Sequence, residues 1–130
     1  MKTLDIPLMA KHYLQAAIWA DAPEGANPRI TKQAQKYAEH TCAKFTGLIG
    51  GELLPELLEY PDYWAHPDCG GRIEAALGHD LYLTSAGHGV GFWCRDVLPD
   101  GLRRKLSDLC GWGKQIQEPE LSFYRGWMYL

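Results

Sequence analysis

One stretch of the sequence decides the predicted fold: residues 78–95, GHDLYLTSAGHGVGFWCR. Apolar and polar residues alternate on both sides of Ala86-Gly87, and a period of two around a short glycine turn is typical of a β-hairpin. A two-residue turn at Ala86-Gly87 would place His79 opposite Cys94 at the open end of the ribbon. The stretch therefore predicts a tight hairpin near the middle of the chain.

Outside this stretch, apolar residues recur at helical spacing. This spacing predicts helices over residues 8–20, 32–45 and 52–60, with Thr31 as the N-cap of the second. One or two helical turns over residues 72–77 are expected to end at Gly78, and Pro99 is expected to open another helix. A second short hairpin is predicted about Arg125-Gly126.

This order of elements predicts an α+β fold. N-terminal helices come first, and hairpin, helix and hairpin follow. Because an isolated two-stranded ribbon is barely stable in water, the two hairpins are expected to join into a small antiparallel sheet of about four strands packed on the helices. With 130 residues and 46% apolar content, the chain is predicted to be a single domain over residues 1–130.

Composition restricts the function classes. The net charge of −3 does not favour binding to nucleic acid, which remains possible. Four cysteines without an N-terminal leader predict reduced thiols and a cytoplasmic protein. No apolar run approaches the ~20 residues that cross a bilayer, so no membrane association is expected. The sequence predicts no cofactor and leaves the oligomeric state open.

Three residues of the stretch are weak catalytic candidates: His79, Asp80 and His88. With Cys94, they supply the residue types of a nucleophile, a base and an orienting acid. In the hairpin register, however, His79 and His88 lie roughly 20 Å apart, at ~3.3 Å per residue. Asp80 leaves the opposite face of its strand from His79. The pattern therefore favours a structural role for these side chains, and no catalytic set is predicted.

Zinc is a second chemistry to consider, because a close pair of ligands, His66 and Cys69, lies in the loop of residues 61–71. A structural zinc site usually needs two such pairs, and the rest of the chain has no second one. His66 and Cys69 are therefore only weak metal-ligand candidates.

Aromatic and basic residues cluster in two regions. Four positive charges flank the start of the helix that opens at Pro99, with Trp93 or Trp112 as a possible stacking platform. Aromatic rings occupy the proline-rich loop before residue 71. Such groups act as anchors in protein interfaces. The predicted binding residues are Trp93, Arg95, Arg103, Arg104, Tyr63 and Trp64.

The pattern GHDxxLTxxGHGxGFWxR within residues 78–95 resembles the GHDFWLTRNGHGAGFWDR-like stretch of a family of small phage and prophage proteins. Tyr13–Trp19, Cys42, Phe45 and the final hairpin are also similar to that family. The resemblance implies a phage or prophage protein and carries no activity with it. Cys94 stands where the family has an acid, which argues against an essential role for its thiol.

These observations lead to a functional expectation. The chain is expected to be a non-enzymatic phage or prophage accessory protein of the host cytoplasm. It would bind a host or defence-system protein, for instance as an anti-CRISPR or other anti-defence inhibitor. The alternatives are a small metal-dependent hydrolase or nuclease, and a nucleic-acid-binding regulator.

Overall fold

A computed structural model describes residues 3–65 and 67–130. In chain order these residues form α1 (Ile6–Asp21), β1 (Arg29–Ile30), α2 (Lys32–Ile49), α3 (Leu53–Leu57), 3₁₀ turns over Pro61–Tyr63 and Pro67–Cys69, α4 (Ile73–Ser85), a third 3₁₀ turn over Phe92–Cys94, α5 (Asp100–Asp108), β2 (Ser122–Tyr124) and β3 (Trp127–Tyr129). The predicted α+β class is confirmed.

Local sequence starts the first two helices. Asp5 caps α1, since its carboxylate accepts a hydrogen bond from the Leu8 N–H at 3.0 Å. Thr31 caps α2 in the same way, with its hydroxyl accepting from the Ala34 N–H at 3.1 Å. The Thr31 cap was predicted from the sequence. Helices were also predicted where α1, α2, α3 and α5 are found.

The core is built around the contact between α1 and α4. Tyr13 and Tyr82 meet edge to face there, with their ring centroids 5.3 Å apart. At Gly78 the helices approach so closely that a Cβ atom would lie 2.2 Å from the backbone oxygen of Met9. This packing therefore requires glycine at position 78.

The hairpin predicted for residues 78–95 is wrong, because most of its first arm is the second half of α4. Eleven of the 13 residues of α4 are buried, and only His79 and Thr84 are partly exposed. A helix that is buried on all sides shows no apolar stripe of helical period. The sequence predicted that the helix ends at Gly78. In the structure Gly78 lies inside α4.

Ala86-Gly87 is a helix cap instead of a hairpin turn. Gly87 has a positive φ of +77°. Its N–H donates to the Thr84 carbonyl, and the His88 N–H donates to the Leu83 carbonyl, both at 3.2 Å. This pair of bonds is the Schellman arrangement, in which a left-handed glycine ends a helix.

The sheet has three strands in the order β1-β3-β2 among the described residues. β2 and β3 form the predicted final hairpin, and both turn residues have positive φ, +51° at Arg125 and +81° at Gly126, as a type I′ turn requires. β1 pairs with β3 in parallel. The expected four-stranded antiparallel sheet is therefore wrong, since the chain after α1, and not residues 78–95, supplies the third strand.

Substituting Gly78 tests the close approach of α1 and α4. Alanine favours a helix over glycine by ~1 kcal/mol, but its methyl group would overlap the Met9 carbonyl. We expect Gly78→Ala to lower the free energy of unfolding by about 2 kcal/mol in urea titrations.

Gly47→Ala is the matched control. Gly47 also lies inside a helix, α2, and nothing is within 4 Å of its Cβ position. This variant should gain roughly 0.5–1 kcal/mol. Equal gains in both variants would contradict the packing described here.

Candidate functional site

The chain after α4 folds back along the helix and is attached to it at two points. Thr84 Oγ1 accepts a hydrogen bond from the Phe92 N–H at 3.2 Å. One helical turn earlier, Asp80 holds Arg95. Gly91 crosses so close to α4 that a Cβ there would lie 2.3 Å from Thr84 Oγ1. The spacing of Asp80 and Thr84, four residues, places both on one side of the helix, facing the returning chain.

The Asp80 carboxylate is almost fully buried, at 1% exposure, and three donors satisfy it. The Arg95 guanidinium binds it in a bidentate manner, with Nε 2.9 Å from Oδ2. The Tyr63 hydroxyl donates to Oδ2 at 2.7 Å. Burial and the neighbouring Asp80 raise the Tyr63 pKa, so the hydroxyl keeps its proton. Asp80 is thus a structural ion-pair partner, because both of its oxygens already accept hydrogen bonds from Arg95 or Tyr63.

Beside this ion pair is a cleft of about 600 Å³. Its walls come from α1, α4, the segment of residues 62–69 and the segment of residues 94–97. Besides the Asp80–Arg95 pair, the lining has six polar or charged side chains: His12, Gln15, Asp62, Asp68, His79 and Asp96. The volume lies in the range of small-ligand pockets.

The pKa values of both histidines in the cleft are lowered, which favours their neutral form. Burial lowers the His79 pKa, and Arg95 adds to this effect while Asp80 and Asp68 oppose it. Burial and the nearby Lys11 and His79 lower the His12 pKa. Four aspartates and one arginine line the cleft; that arginine is bound to Asp80, and Arg103 from outside the lining pairs with Asp96 at 3.6 Å. The cleft is therefore a negatively charged site.

Cys69 and Cys94 also line the cleft. Burial and Asp80 raise the Cys69 pKa, which keeps its sulfur as the unreactive thiol. Cys94 is exposed, and its Sγ lies 3.6 Å from the Gly89 carbonyl oxygen. Neither cysteine therefore has a base beside it that would make it a nucleophile.

His88 lies apart from His79. Its Nε2 is 2.8 Å from Asp21 Oδ2 at the end of α1, and the Tyr82 hydroxyl donates to the same oxygen. His88 follows the glycine cap of α4, so this contact ties the end of α4 to the end of α1. The three catalytic candidates thus occupy three settings: His79 in the cleft, Asp80 in the ion pair below it, and His88 at the helix ends.

The basic cluster predicted around α5 is largely neutralised. Arg103 lies over the Trp93 ring, 5.6 Å from its centroid, and pairs with Asp100. Lys105 pairs with Glu52 at 3.0 Å. Within the described residues, only Arg104 of the four cations has no ion pair, and it is exposed on α5. Trp93 is half exposed.

The aromatic residues of the loop before α4 point inward. Tyr63 is buried against Asp80, and Trp64 is partly buried against the core. Cys69 is in the cleft, but its predicted zinc partner, His66, lies outside the described residues. No three His, Cys, Asp or Glu side chains in residues 3–65 and 67–130 are placed to hold a metal ion together.

The sequence prediction missed the α1 side of the cleft. His12 and Gln15 line it, and Trp19, 73% exposed, lies with its ring 5.7 Å from His79. The spacing of these three residues, i, i+3 and i+7, puts them on one face of a helix. A large exposed tryptophan on the polar side of an amphipathic helix was the available indication in the sequence.

Breaking the ion pair tests its structural role. Arg95→Ala would leave Asp80 buried without its cation, so we expect a loss of about 3 kcal/mol in the free energy of unfolding. Arg95→Lys should lose less, since lysine restores the charge but not the bidentate geometry. The control is Arg104→Ala, which should change stability by no more than about 0.5 kcal/mol in the same urea titrations. A similar small effect at Arg95 would contradict the assignment.

The lowered pKa values of His12 and His79 predict a pH dependence. Below the unfolded-state pKa of 6.5, the unfolded chain takes up protons that the folded cleft resists. Stability is therefore full above that pH and falls below it. We expect His79→Gln to reduce the loss measured between about pH 7.5 and 5.5. His40→Gln, at an exposed position of α2, should leave the loss unchanged, and an equal loss in all three proteins would count against the prediction.

Among the described residues, no helix has the combination of length and apolar character needed to span a bilayer. No protein-family model, curated protein or solved structure significantly matches this chain.

Proposed function

We propose that this chain is a phage or prophage accessory protein that binds a host or defence-system protein, and that the cleft receives a basic side chain of that partner. The observation that supports this proposal is the negatively charged cleft beside the exposed Trp19. The phage origin and the cytoplasmic location are supported by the resemblance of residues 78–95 to small phage proteins.

Charge favours a basic partner. The aspartates of the lining outnumber its single arginine, and that arginine already binds Asp80. Asp96 is 98% exposed at the rim, where a partner can reach it, and Arg103 Nη1 already lies 3.6 Å from its Oδ1. A lysine or arginine entering the cleft would meet carboxylates and neutral imidazoles, whereas a phosphate would be repelled.

Trp19 supplies the apolar part of such an interface. Its ring is largely exposed next to His79, and tryptophan is among the residues that dominate binding energy when an interface covers them. The ring can also stack against a cationic group. Val97, 46% exposed on the opposite wall, adds apolar area.

Binding is better supported than catalysis by the state of the candidate groups. Asp80 is occupied by Arg95 and Tyr63, and the Cys69 thiol is held protonated by its raised pKa. The imidazoles of His12 and His79 are available as bases, but no described hydroxyl or thiol is hydrogen-bonded to either of them, as an activated nucleophile would be.

Affinity capture from host lysate, quantified by mass spectrometry, tests the proposal. We expect a specific protein to be retained by the wild-type chain and reduced about tenfold or more by Trp19→Ala. Asp96→Lys, which reverses a charge at the rim, should also release it.

Trp112→Ala is the matched control, because Trp112 is 85% exposed but does not line the cleft. This variant should retain the partner. A partner that is held equally by the wild type and both cleft variants would refute the proposal, as would the absence of any specific partner.

A further inference from the structure

The outer face of the sheet carries a row of aromatic rings and arginines. Tyr124 and Trp127 are register partners on β2 and β3, and Arg29 on β1 is the parallel partner of Trp127. Directly opposed residues share a face of the sheet, so these three side chains lie side by side, with strands about 4.8 Å apart. Arg125 lies at the turn, next to Tyr124.

This face is open to solvent. Tyr124 is 60% exposed, and Trp127 and Tyr129 are each exposed by more than a third. Their neighbour Met128 is fully buried, which shows that the other face of the sheet meets the core. Three large rings on one open face exceed what a small sheet needs for its own packing.

The two arginines of this face are free to meet an anion. The Arg29 guanidinium lies 5.7 Å from the Trp127 ring centroid, and that of Arg125 lies 5.2 Å from the Tyr124 centroid. No carboxylate of the described residues lies within 4 Å of either guanidinium. The arginines of the cleft region differ in this respect, because Arg95 and Arg103 are both paired with aspartates.

A second cavity, of about 390 Å³, opens beside Tyr124 and Arg125. Its walls are the prolines and Asn27 of the segment between α1 and β1, together with Phe123. Its lining is predominantly apolar. A planar ring of a ligand bound along this face could therefore enter the adjoining cavity.

We propose that this face binds single-stranded nucleic acid, with bases stacked on Tyr124 and Trp127 and phosphates held by Arg29 and Arg125. Rings and guanidinium planes on an open sheet are the groups that stack unpaired bases, and unpaired arginines attract the backbone. An acidic peptide would satisfy the arginines but leave the rings and the cavity without a planar partner.

This inference does not depend on the proposed function. The sheet face and the cleft share no residue, and they differ in charge. The chain-level charge of −3 obscures this separation, because the acidic cleft dominates the total.

Fluorescence anisotropy with a labelled oligo(dT) of about 12 nucleotides tests the proposal. We expect Trp127→Ala and Tyr124→Ala each to weaken binding about tenfold, and Trp127→Phe to retain most of the affinity. Arg29→Gln and Arg125→Asn should each reduce the slope of log affinity against log salt by about 0.7. Asparagine is chosen at position 125 because it tolerates the positive φ.

Arg104→Gln and Trp112→Ala are the matched controls, since both residues are exposed and lie outside the sheet. Neither variant should change the affinity. Three results would overturn the proposal: no binding of oligo(dT) by the wild type, equal binding by the ring variants, or an equal loss in the controls. Binding of a polyglutamate peptide in place of oligo(dT), with the same sensitivity to Arg29 and Arg125, would assign the face to an acidic peptide instead.

Discussion

A buried carboxylate that has to be neutralised organises the centre of this protein. Asp80 is at 1% exposure on a helix packed into the core, where an unpaired charge would be very costly. Arg95 and Tyr63 remove that cost, and they come from segments on either side of α4 in the sequence. One charged group thus fixes the 3₁₀ turn before α4 and the returning chain after it. The cleft exists because these two segments are held there.

The same ion pair gives structural roles to several residues of the most conspicuous motif in the chain. Asp80, Thr84, Gly91 and Arg95 hold the returning segment against α4, and Gly78 allows α4 to approach α1. Each of these residues therefore has a packing role. Among the polar residues of the motif, only His79 both lines the cleft and lacks a hydrogen-bond partner within the described residues.

The two open surfaces that result have complementary properties. The cleft combines carboxylates with Trp19, whereas the outer face of the sheet combines arginines with Tyr124 and Trp127. In both places an aromatic ring lies beside a charge, the pairing that gives recognition sites both area and direction. The two proposed sites therefore call for partners of opposite charge.

The elements that sequence alone determined are those whose causes are local. Thr31 caps a helix three residues away, Arg125 and Gly126 make a turn between adjacent strands, and the apolar stripes of α1, α2 and α5 follow from helical periodicity. Only the tertiary structure decided residues 78–95. A helix buried on every side has no apolar stripe. Gly78 allows α4 to contact α1, Gly87 caps α4, and Gly91 lets the returning chain cross close to α4. The cleft followed the same rule, because His12, Asp62, His79 and Asp96 become neighbours only through packing between elements far apart in sequence.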